Sequence, residues 1–495
     1  MSHRLRAFVL LAAIWLLGAC VATIPDDSRE HIVMFDRDGW PIDPVAWRKS
    51  FFGSGLRMEP CRFDEYVEDN VLAGLERWRD QGQPRRIVLF IHGGLNSKRT
   101  SIDRAVKLRP LIEADGSYPI FLNWQSSLQS SYFLDHLLFV RRGNKHPFLG
   151  PFLAPFYLVV DLGRIVLRAP IVTLQGAYRT YQRYTVSGAQ ERAHDAAAEL
   201  RRRYEEHPGD PSTIPIYVGE DHTTAWESAW KTTKYLVTTP TRVLTAPIVD
   251  AIGASSWNMM LRRTSLLFER EEDSLAGYPD AEEHSDLLRF LARLDDFVER
   301  DGEDWEIVLV GHSMGTIVVN GILRHAAQRV GRLPDFDEVV YMGSACSIAD
   351  FEASALPYVK QRAARAAANR APPCDVYLLT LARRAELQEE NAPEFFGLAP
   401  RGSLLIWIDD YLAEPNSEVD QTFGRFTNLM LSIHRIPDAL RACFHVKVFD
   451  VGGSEAEFSP QKHGEFSEFP FWRRDFWDPA CAPGSDATLC RLRDF

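Results

Sequence analysis

Ser313 has the neighbours expected of a nucleophile. It lies between two glycines in "GHSMG" (311–315), after the strand-forming run "WEIVLV" (305–310) and before a helix-forming run from about 314 to 330. A strand, a glycine-marked turn and a helix together expose a serine hydroxyl at a sharp elbow. The helix start also directs N–H groups at negative charge that develops beside the serine. The pattern predicts a nucleophilic serine, and a turn that only needs its glycines is the alternative.

With this motif the sequence resembles the α/β-hydrolase superfamily, whose esterases and lipases commonly carry "GHSMG". The superfamily needs a second oxyanion donor after an upstream strand, and "VLFIHGGLN" (88–96) meets that requirement. The resemblance implies an oxyanion hole made by the N–H of Met314 and one from Gly93, Gly94 or Leu95. A tight turn at the strand exit is the alternative interpretation of the two glycines. The pair "HGGLN" and "FLNWQSS" (121–127) is also similar to a subgroup of bacterial hydrolases of poorly assigned function.

The resemblance also implies a histidine after the last strand of the sheet, because the triad runs serine, acid, histidine along the chain. His463 follows such a strand in a polar, glycine-containing loop. His445 lies within that strand and His434 before it, so we expect both to be structural.

The acid of the triad is the least determined residue. The family places it just after the strand 375–381, where Arg383 and Arg384 stand instead. Glu386 is the first carboxylate within reach, and a glutamate can serve. We predict Glu386, with Asp350 and Asp409 as rivals. Asp409 has the further interpretation of a solvated residue on a helix that Ser403 caps.

The elements that must position these residues alternate between strand and helix. Apolar runs typical of strands buried on both faces occur at 85–91, 118–124, 305–310, "DEVVYMG" (337–343), 375–381 and 444–451. Helix-forming runs at 97–113, 285–300, with Ser285 as N-cap, and 314–330 lie between them. The alternation predicts an α/β fold with a doubly wound, mostly parallel sheet, and the resemblance implies the α/β-hydrolase version of it.

The stretch 125–280 breaks this alternation and is too long for a loop. We expect it to fold on its own as a large, mainly helical cap. Its apolar segment 153–174 contains Asp161, Arg164, Arg168 and two prolines, which favours a cap helix or an interfacial helix over a transmembrane span. The predicted units are 1–19, a signal peptide; 20–84, an extension with the first strands; 85–124, hydrolase core; 125–280, the cap; and 281–495, the rest of the core.

The N-terminus is typical of a secreted bacterial protein. Arg4 and Arg6 precede the apolar run "AFVLLAAIWLLGA", and residues 17–20 resemble a lipobox that ends at Cys20. The resemblance implies acylation of Cys20, and Val21 after it favours the outer membrane, facing the periplasm. Such a compartment permits disulfides, and Cys481 with Cys490 is the pairing we expect.

Composition excludes some classes of partner and cofactor. A net charge of −12 argues against nucleic-acid binding, and the absence of metal-ligand or nucleotide motifs predicts no cofactor. The sequence therefore predicts a serine esterase acting on hydrophobic or lipid-like esters, because an anchor and an apolar cap favour such substrates. An acyltransferase with the same triad and a non-catalytic envelope scaffold are the alternatives.

Overall fold

The protein is built on one eight-stranded sheet. The computed structural model describes residues 26–45, 57–127, 130–138, 149–184, 188–207, 209–269, 285–328, 332–368, 373–389, 400–452 and 459–481. The strands are β1 (Ile32–Phe35), β2 (Arg86–Ile91), β3 (Tyr118–Trp124), β4 (Ile216–Val218), β5 (Glu306–His312), β6 (Glu338–Met342), β7 (Asp375–Leu381) and β8 (Phe444–Phe449). They lie in the order β1-β3-β2-β5-β6-β7-β8-β4, and every neighbouring pair is parallel. The predicted α/β fold with a parallel sheet is confirmed.

Both faces of the sheet are buried, as the continuous apolar runs predicted. Ile87, Leu89 and Ile91 of β2 point into one apolar cluster. Val88 and Phe90, the alternate residues, point into a second cluster on the other face. A strand with both faces buried has no solvated side, which explains why its sequence is apolar throughout.

Helices cover the two faces. They are α1 (Pro60–Tyr66), α2 (Ala73–Asp80), α3 (Lys98–Ala114), α4 (Gly150–Tyr184), α5 (Gly188–Glu206), α6 (Ala225–Leu266), α7 (Asp286–Asp301), α8 (Gly315–Gln328), α9 (Ile348–Ala367), α10 (Arg383–Gln388), α11 (Leu404–Trp407), α12 (Phe426–Ser432) and α13 (Arg474–Trp477). The hydroxyl of Ser285 accepts the N–H of Leu288 at 3.1 Å, so this residue caps α7 as predicted. The extension 20–84 was expected to carry the first strands; among its described residues β1 is formed, and residues 41–42 make only isolated bridges after it.

The insertion (residues 125–280) is mainly helical, but it does not fold apart from the sheet. It contains α4, α5 and α6, and α4 packs along α6. It also supplies β4, which pairs with β8 at the edge of the sheet. The expectation that the stretch folds on its own is wrong in this respect. The strand was missed because three residues of an edge strand are too short to be recognised from apolar pattern alone.

An ion pair joins α6 to the first residues of the insertion, beside the end of β3. Arg263 of α6 donates to Asp135 from Nε at 3.0 Å and from Nη2 at 2.7 Å. Its Nη1 donates to the carbonyl of Gln125 at 3.0 Å. Both charged side chains are 1% exposed, so the pair fixes the insertion where it leaves the sheet.

Some predictions fall outside the described residues. These are the signal peptide, Cys20 and Cys490. Cys481 is disulfide-bonded, whereas Cys61, Cys346, Cys374 and Cys443 are free thiols.

Candidate active site

Ser313 occupies a strained turn between β5 and α8. Its φ is +54°, in the left-handed region that non-glycine residues rarely adopt. The turn is held by hydrogen bonds: Ser313 N–H donates to the carbonyl of Met342 at 2.9 Å, and its own carbonyl accepts from Thr316 N–H and Ala345 N–H at 3.1 and 3.2 Å. Strain of this kind costs about 1–3 kcal/mol and persists only where the surroundings impose it.

The two glycines of the motif are required by close packing. A Cβ on Gly311 would lie 2.7 Å from Cγ2 of Val319 and 3.1 Å from the backbone nitrogen of Thr316. A Cβ on Gly315 would lie 2.3 Å from the carbonyl oxygen of Ile91. Both positions therefore exclude larger residues so that α8 can begin directly behind Ser313.

The structure brings together Ser313 and His463, the predicted nucleophile and base. His463 begins a 3-10 turn after β8, and its Nε2 lies 2.8 Å from Oγ of Ser313. Burial, and secondly the neighbouring His312, lower the pKa of His463 well below 6.5, so the imidazole is neutral near pH 7. A neutral imidazole accepts the serine proton at Nε2 when its own proton is on Nδ1. The pair thus has the geometry of a nucleophile and its general base.

His312 bonds the backbone of His463, and Gly343 lies against its imidazole. Nε2 of His312 donates to the carbonyl of His463 at 2.9 Å. Gly343, with φ +50°, follows β6, and a Cβ there would lie 2.9 Å from Nδ1 of His463. The Nδ1 side of the ring therefore faces the backbone at the end of β6.

The three predicted acids lie elsewhere. Glu386 accepts the N–H of Phe426 at 3.1 Å, and burial raises its pKa to about 8. Asp350 binds Asn320 and Arg324, each at 2.6 Å. Within the described part of the chain, none of the three carboxylates is hydrogen bonded to His463. The role of Glu386 in a triad therefore remains a prediction that this geometry does not support.

Asp409 has a structural role. It accepts hydrogen bonds from Thr422, Arg425 and Asn428. Ser403 caps α11 as proposed, but Asp409 is only 6% exposed. The alternative interpretation of a solvated residue is wrong, because Arg425 and the amides compensate its burial.

Among the described residues, Glu389 is the carboxylate that is hydrogen bonded to the histidine, and sequence reasoning missed it. Its Oε2 accepts the backbone N–H of His463 at 3.0 Å. Burial, opposed by this hydrogen bond, raises the pKa of Glu389 to about 7. The only sequence signal is its place three residues after Glu386, past the end of α10. Glu389 holds the main chain of the histidine rather than its ring.

The predicted oxyanion loop lies directly against the elbow. A Cβ on Gly93 would be 2.8 Å from Cβ of Ser313, and one on Gly94 would be 2.8 Å from Sδ of Met314. The N–H of Leu95 is already bonded to the carbonyl of Ser126 at 2.9 Å, which removes it as a donor. The N–H groups of Gly93, Gly94 and Met314 donate to no atom among the described residues, so they are available to an oxyanion.

Side chains from "HGGLN" and "FLNWQSS" hold this loop in place. Asn96 Nδ2 and Ser126 Oγ both donate to the carbonyl of Gly93, at 2.9 and 3.1 Å. His92 receives the N–H of Trp124 at Nε2 and contacts the Gly93 carbonyl through Nδ1 at 2.8 Å. The C=O of Gly93 and the N–H of Gly94 belong to one planar trans peptide and point in opposite directions. Because these bonds hold the carbonyl of Gly93 towards the loop, the N–H of Gly94 points away from it. The site is pre-organised for negative charge.

The site is enclosed. Ser313 is 2% and His463 3% exposed. The insertion also contacts the core at α10 and α12: the ring of His194 on α5 lies 5.1 Å from that of Phe426 on α12, and Gln190 accepts from Arg383 at the start of α10. Among the described residues, no group of three His, Cys, Asp or Glu side chains is arranged to hold a metal ion.

Comparison of the chain with protein-family models, with curated proteins and with solved structures finds no match in any of the three.

Proposed function

We propose that the protein is a serine hydrolase of the α/β-hydrolase type that cleaves carboxylic esters with hydrophobic acyl groups. The observation that carries the proposal is the contact of 2.8 Å between Ser313 Oγ and His463 Nε2, at a serine with φ +54°. A structural serine has no need of this strained backbone. The adjacent free N–H groups add the electrostatic element that acyl transfer requires.

The reaction proceeds through an acyl-serine. Ser313 Oγ attacks the ester carbonyl while His463 Nε2 takes its proton, and the N–H groups of Met314 and Gly94 stabilise the oxyanion. The imidazolium then protonates the departing alkoxide. Water then attacks the acyl carbonyl while His463 takes its proton. The ester bond to Ser313 breaks, the acid is released, and His463 returns the proton to Ser313 Oγ.

Two features support a hydrophobic substrate at the cell envelope. The insertion carries a large exposed apolar surface on α4, and the N-terminal sequence resembles a lipobox ending at Cys20. We propose that the mature protein is lipid-anchored through Cys20, at the outer membrane facing the periplasm. The ester would then reach the site from a lipid phase.

The enclosure of Ser313 favours acyl transfer as a second candidate. A serine that is 2% exposed is shielded from water, and a shielded acyl-enzyme passes its acyl group to an alcohol acceptor more readily.

A series of p-nitrophenyl esters, from acetyl through octanoyl to palmitoyl, tests the proposal. We expect turnover to rise with acyl length, and Ser313→Ala and His463→Ala to lose roughly four or more orders of magnitude in kcat. Ser265→Ala, an exposed serine on α6, is the matched control. Equal rates across the series would refute the preference for hydrophobic acyl groups, and release of p-nitrophenol that requires an added alcohol would identify a transferase. No turnover by folded wild-type protein would refute both activities.

A further inference from the structure

Helix α4 distributes its charges in the opposite way from a helix on a soluble protein. Between residues 150 and 175 its charged residues are Asp161, Arg164 and Arg168, and all three face the protein. Asp161 accepts from Tyr132 and contacts His136, at 2.9 and 2.8 Å. A surface helix normally turns its apolar stripe inward and its charges to solvent.

The two arginines bind acidic residues of the protein body. Arg164 donates to Glu414 at 2.8 Å. Arg168 donates to Asp250 at 3.1 Å and lies 2.9 Å from Glu414. Asp250 belongs to α6, whereas Glu414 follows α11 and belongs to the core. The inner side of α4 is therefore fixed on both the insertion and the core.

The outer side of α4, here called the apolar face, is exposed hydrocarbon. Phe152 is 81% exposed, Leu167 79% and Leu174 72%. The same face includes Leu153, Phe156, Leu158, Val159, Val160, Leu162, Val166 and Ile171, all exposed. Monomeric soluble proteins rarely expose contiguous apolar patches larger than a few hundred Å², so this surface needs an occupant.

We propose that the apolar face lies in the acyl region of a lipid bilayer, with α4 parallel to the membrane plane. The segment Gly150–Gln175 has a mean hydropathy of 1.5 over its most apolar window, of which 11% is buried. Basic residues flank it in the sequence, with Arg141, Arg142 and Lys145 before it and Arg179 and Arg183 after it. Basic residues beside an apolar segment are a sequence pattern typical of segments that bind anionic membrane surfaces.

The ion pairs favour a helix α4 that lies on the membrane over one that crosses it. A crossing helix would carry Asp250, Glu414 and the core around them into hydrocarbon, which is costly for ionised groups. A helix in the membrane plane keeps these pairs on the protein side and places only the apolar face in lipid. This inference does not depend on catalysis by Ser313.

Site-directed spin labelling distinguishes lipid from water and from protein. The lipidated full-length protein, with the exposed Cys61 replaced by serine, is labelled with a nitroxide at Phe156→Cys or Leu167→Cys on the apolar face. Glu199→Cys on the exposed side of α5 is the matched control. Each is reconstituted in vesicles of equimolar phosphatidylethanolamine and phosphatidylglycerol, and collision rates with oxygen and with a water-soluble nickel chelate are measured.

Oxygen concentrates in lipid and the nickel chelate in water. We expect the oxygen-to-nickel ratio on the apolar face to be several times that at Glu199. Because the anchor tethers every variant equally, it cannot produce this difference. A ratio equal to that at Glu199 would show a face in water, and low collision rates with both reagents would show a face covered by a second copy of the chain. Either result would overturn the proposal.

Discussion

Glu389→Gln tests how His463 is held. Glu389 accepts the N–H of His463 at 3.0 Å, and its pKa of about 7 means that it ionises within the working pH range. A hydrogen bond to a charged acceptor contributes about 1.5–3 kcal/mol, against about 0.5–1.5 kcal/mol for a neutral one. Glutamine keeps the neutral bond at every pH, so the variant loses about 1–1.5 kcal/mol above pH 7, or roughly a factor of ten in rate.

The assay is kcat/KM for a short p-nitrophenyl ester as a function of pH. Wild-type protein should show a rise near pH 7, as Glu389 becomes a carboxylate, and the glutamine variant should lack it. Below pH 7 both proteins carry a neutral acceptor, so their rates should agree. Circular dichroism checks that the variant folds.

Glu386→Gln is the matched comparison. Its carboxyl group binds Phe426 rather than His463, so we expect less than about a threefold change in kcat/KM, well within a kcal/mol. A loss of roughly four orders of magnitude in kcat with an intact fold, as expected for the acid of a triad, would refute this assignment and restore Glu386 to the triad. A pH profile unchanged in Glu389→Gln would refute the positioning role of Glu389.

Three further predictions concern His463, Gly93 and Arg263. Burial lowers the pKa of His463, so its imidazole stays neutral in mild acid. We therefore expect kcat/KM to decrease towards acid pH with an apparent pKa below 6.5. An apparent pKa above 7 for this decrease in Glu389→Gln would contradict the expectation. Gly93→Ala places a Cβ 2.8 Å from that of Ser313 and should lower kcat/KM roughly a hundredfold, whereas Gly163→Ala, with open space around its Cβ, should leave the rate unchanged. Arg263→Met removes both N–H donors from Oδ2 of Asp135 but leaves Arg37 3.5 Å from Oδ1. It should lower the free energy of unfolding in urea by roughly 1–3 kcal/mol; a change below about 0.5 kcal/mol would show that the pair does not stabilise the insertion.

The parallel sheet and the elbow were predictable because their signals are local. β7 matches its predicted bounds of 375–381, since a strand buried on both faces is apolar from end to end. Ser313 was predictable because strand, glycines and helix are contiguous in sequence. His463 is 150 residues away from Ser313, and its place beside the serine was expected from the family order of the triad rather than from any local pattern.

The carboxylate that contacts His463 and the orientation of the insertion could not be predicted from local sequence patterns. Which carboxylate reaches His463 depends on where the chain turns after α10, and Glu386 and Glu389 differ by only three positions. The burial of Asp409 depends on Arg425, a partner that the local pattern around Asp409 does not reveal. The orientation of α4 follows from ion pairs to Asp250 and Glu414, both distant in sequence.

Covalent labelling tests the central claim most directly, namely that Ser313 is a nucleophile activated by His463. Purified wild-type protein is treated with a fluorophosphonate, and the modified residue is located by mass spectrometry. We predict one adduct, on Ser313, that is lost in Ser313→Ala and strongly slowed in His463→Ala. Folded wild-type protein that takes no label, or labelling that persists in Ser313→Ala, would contradict the account.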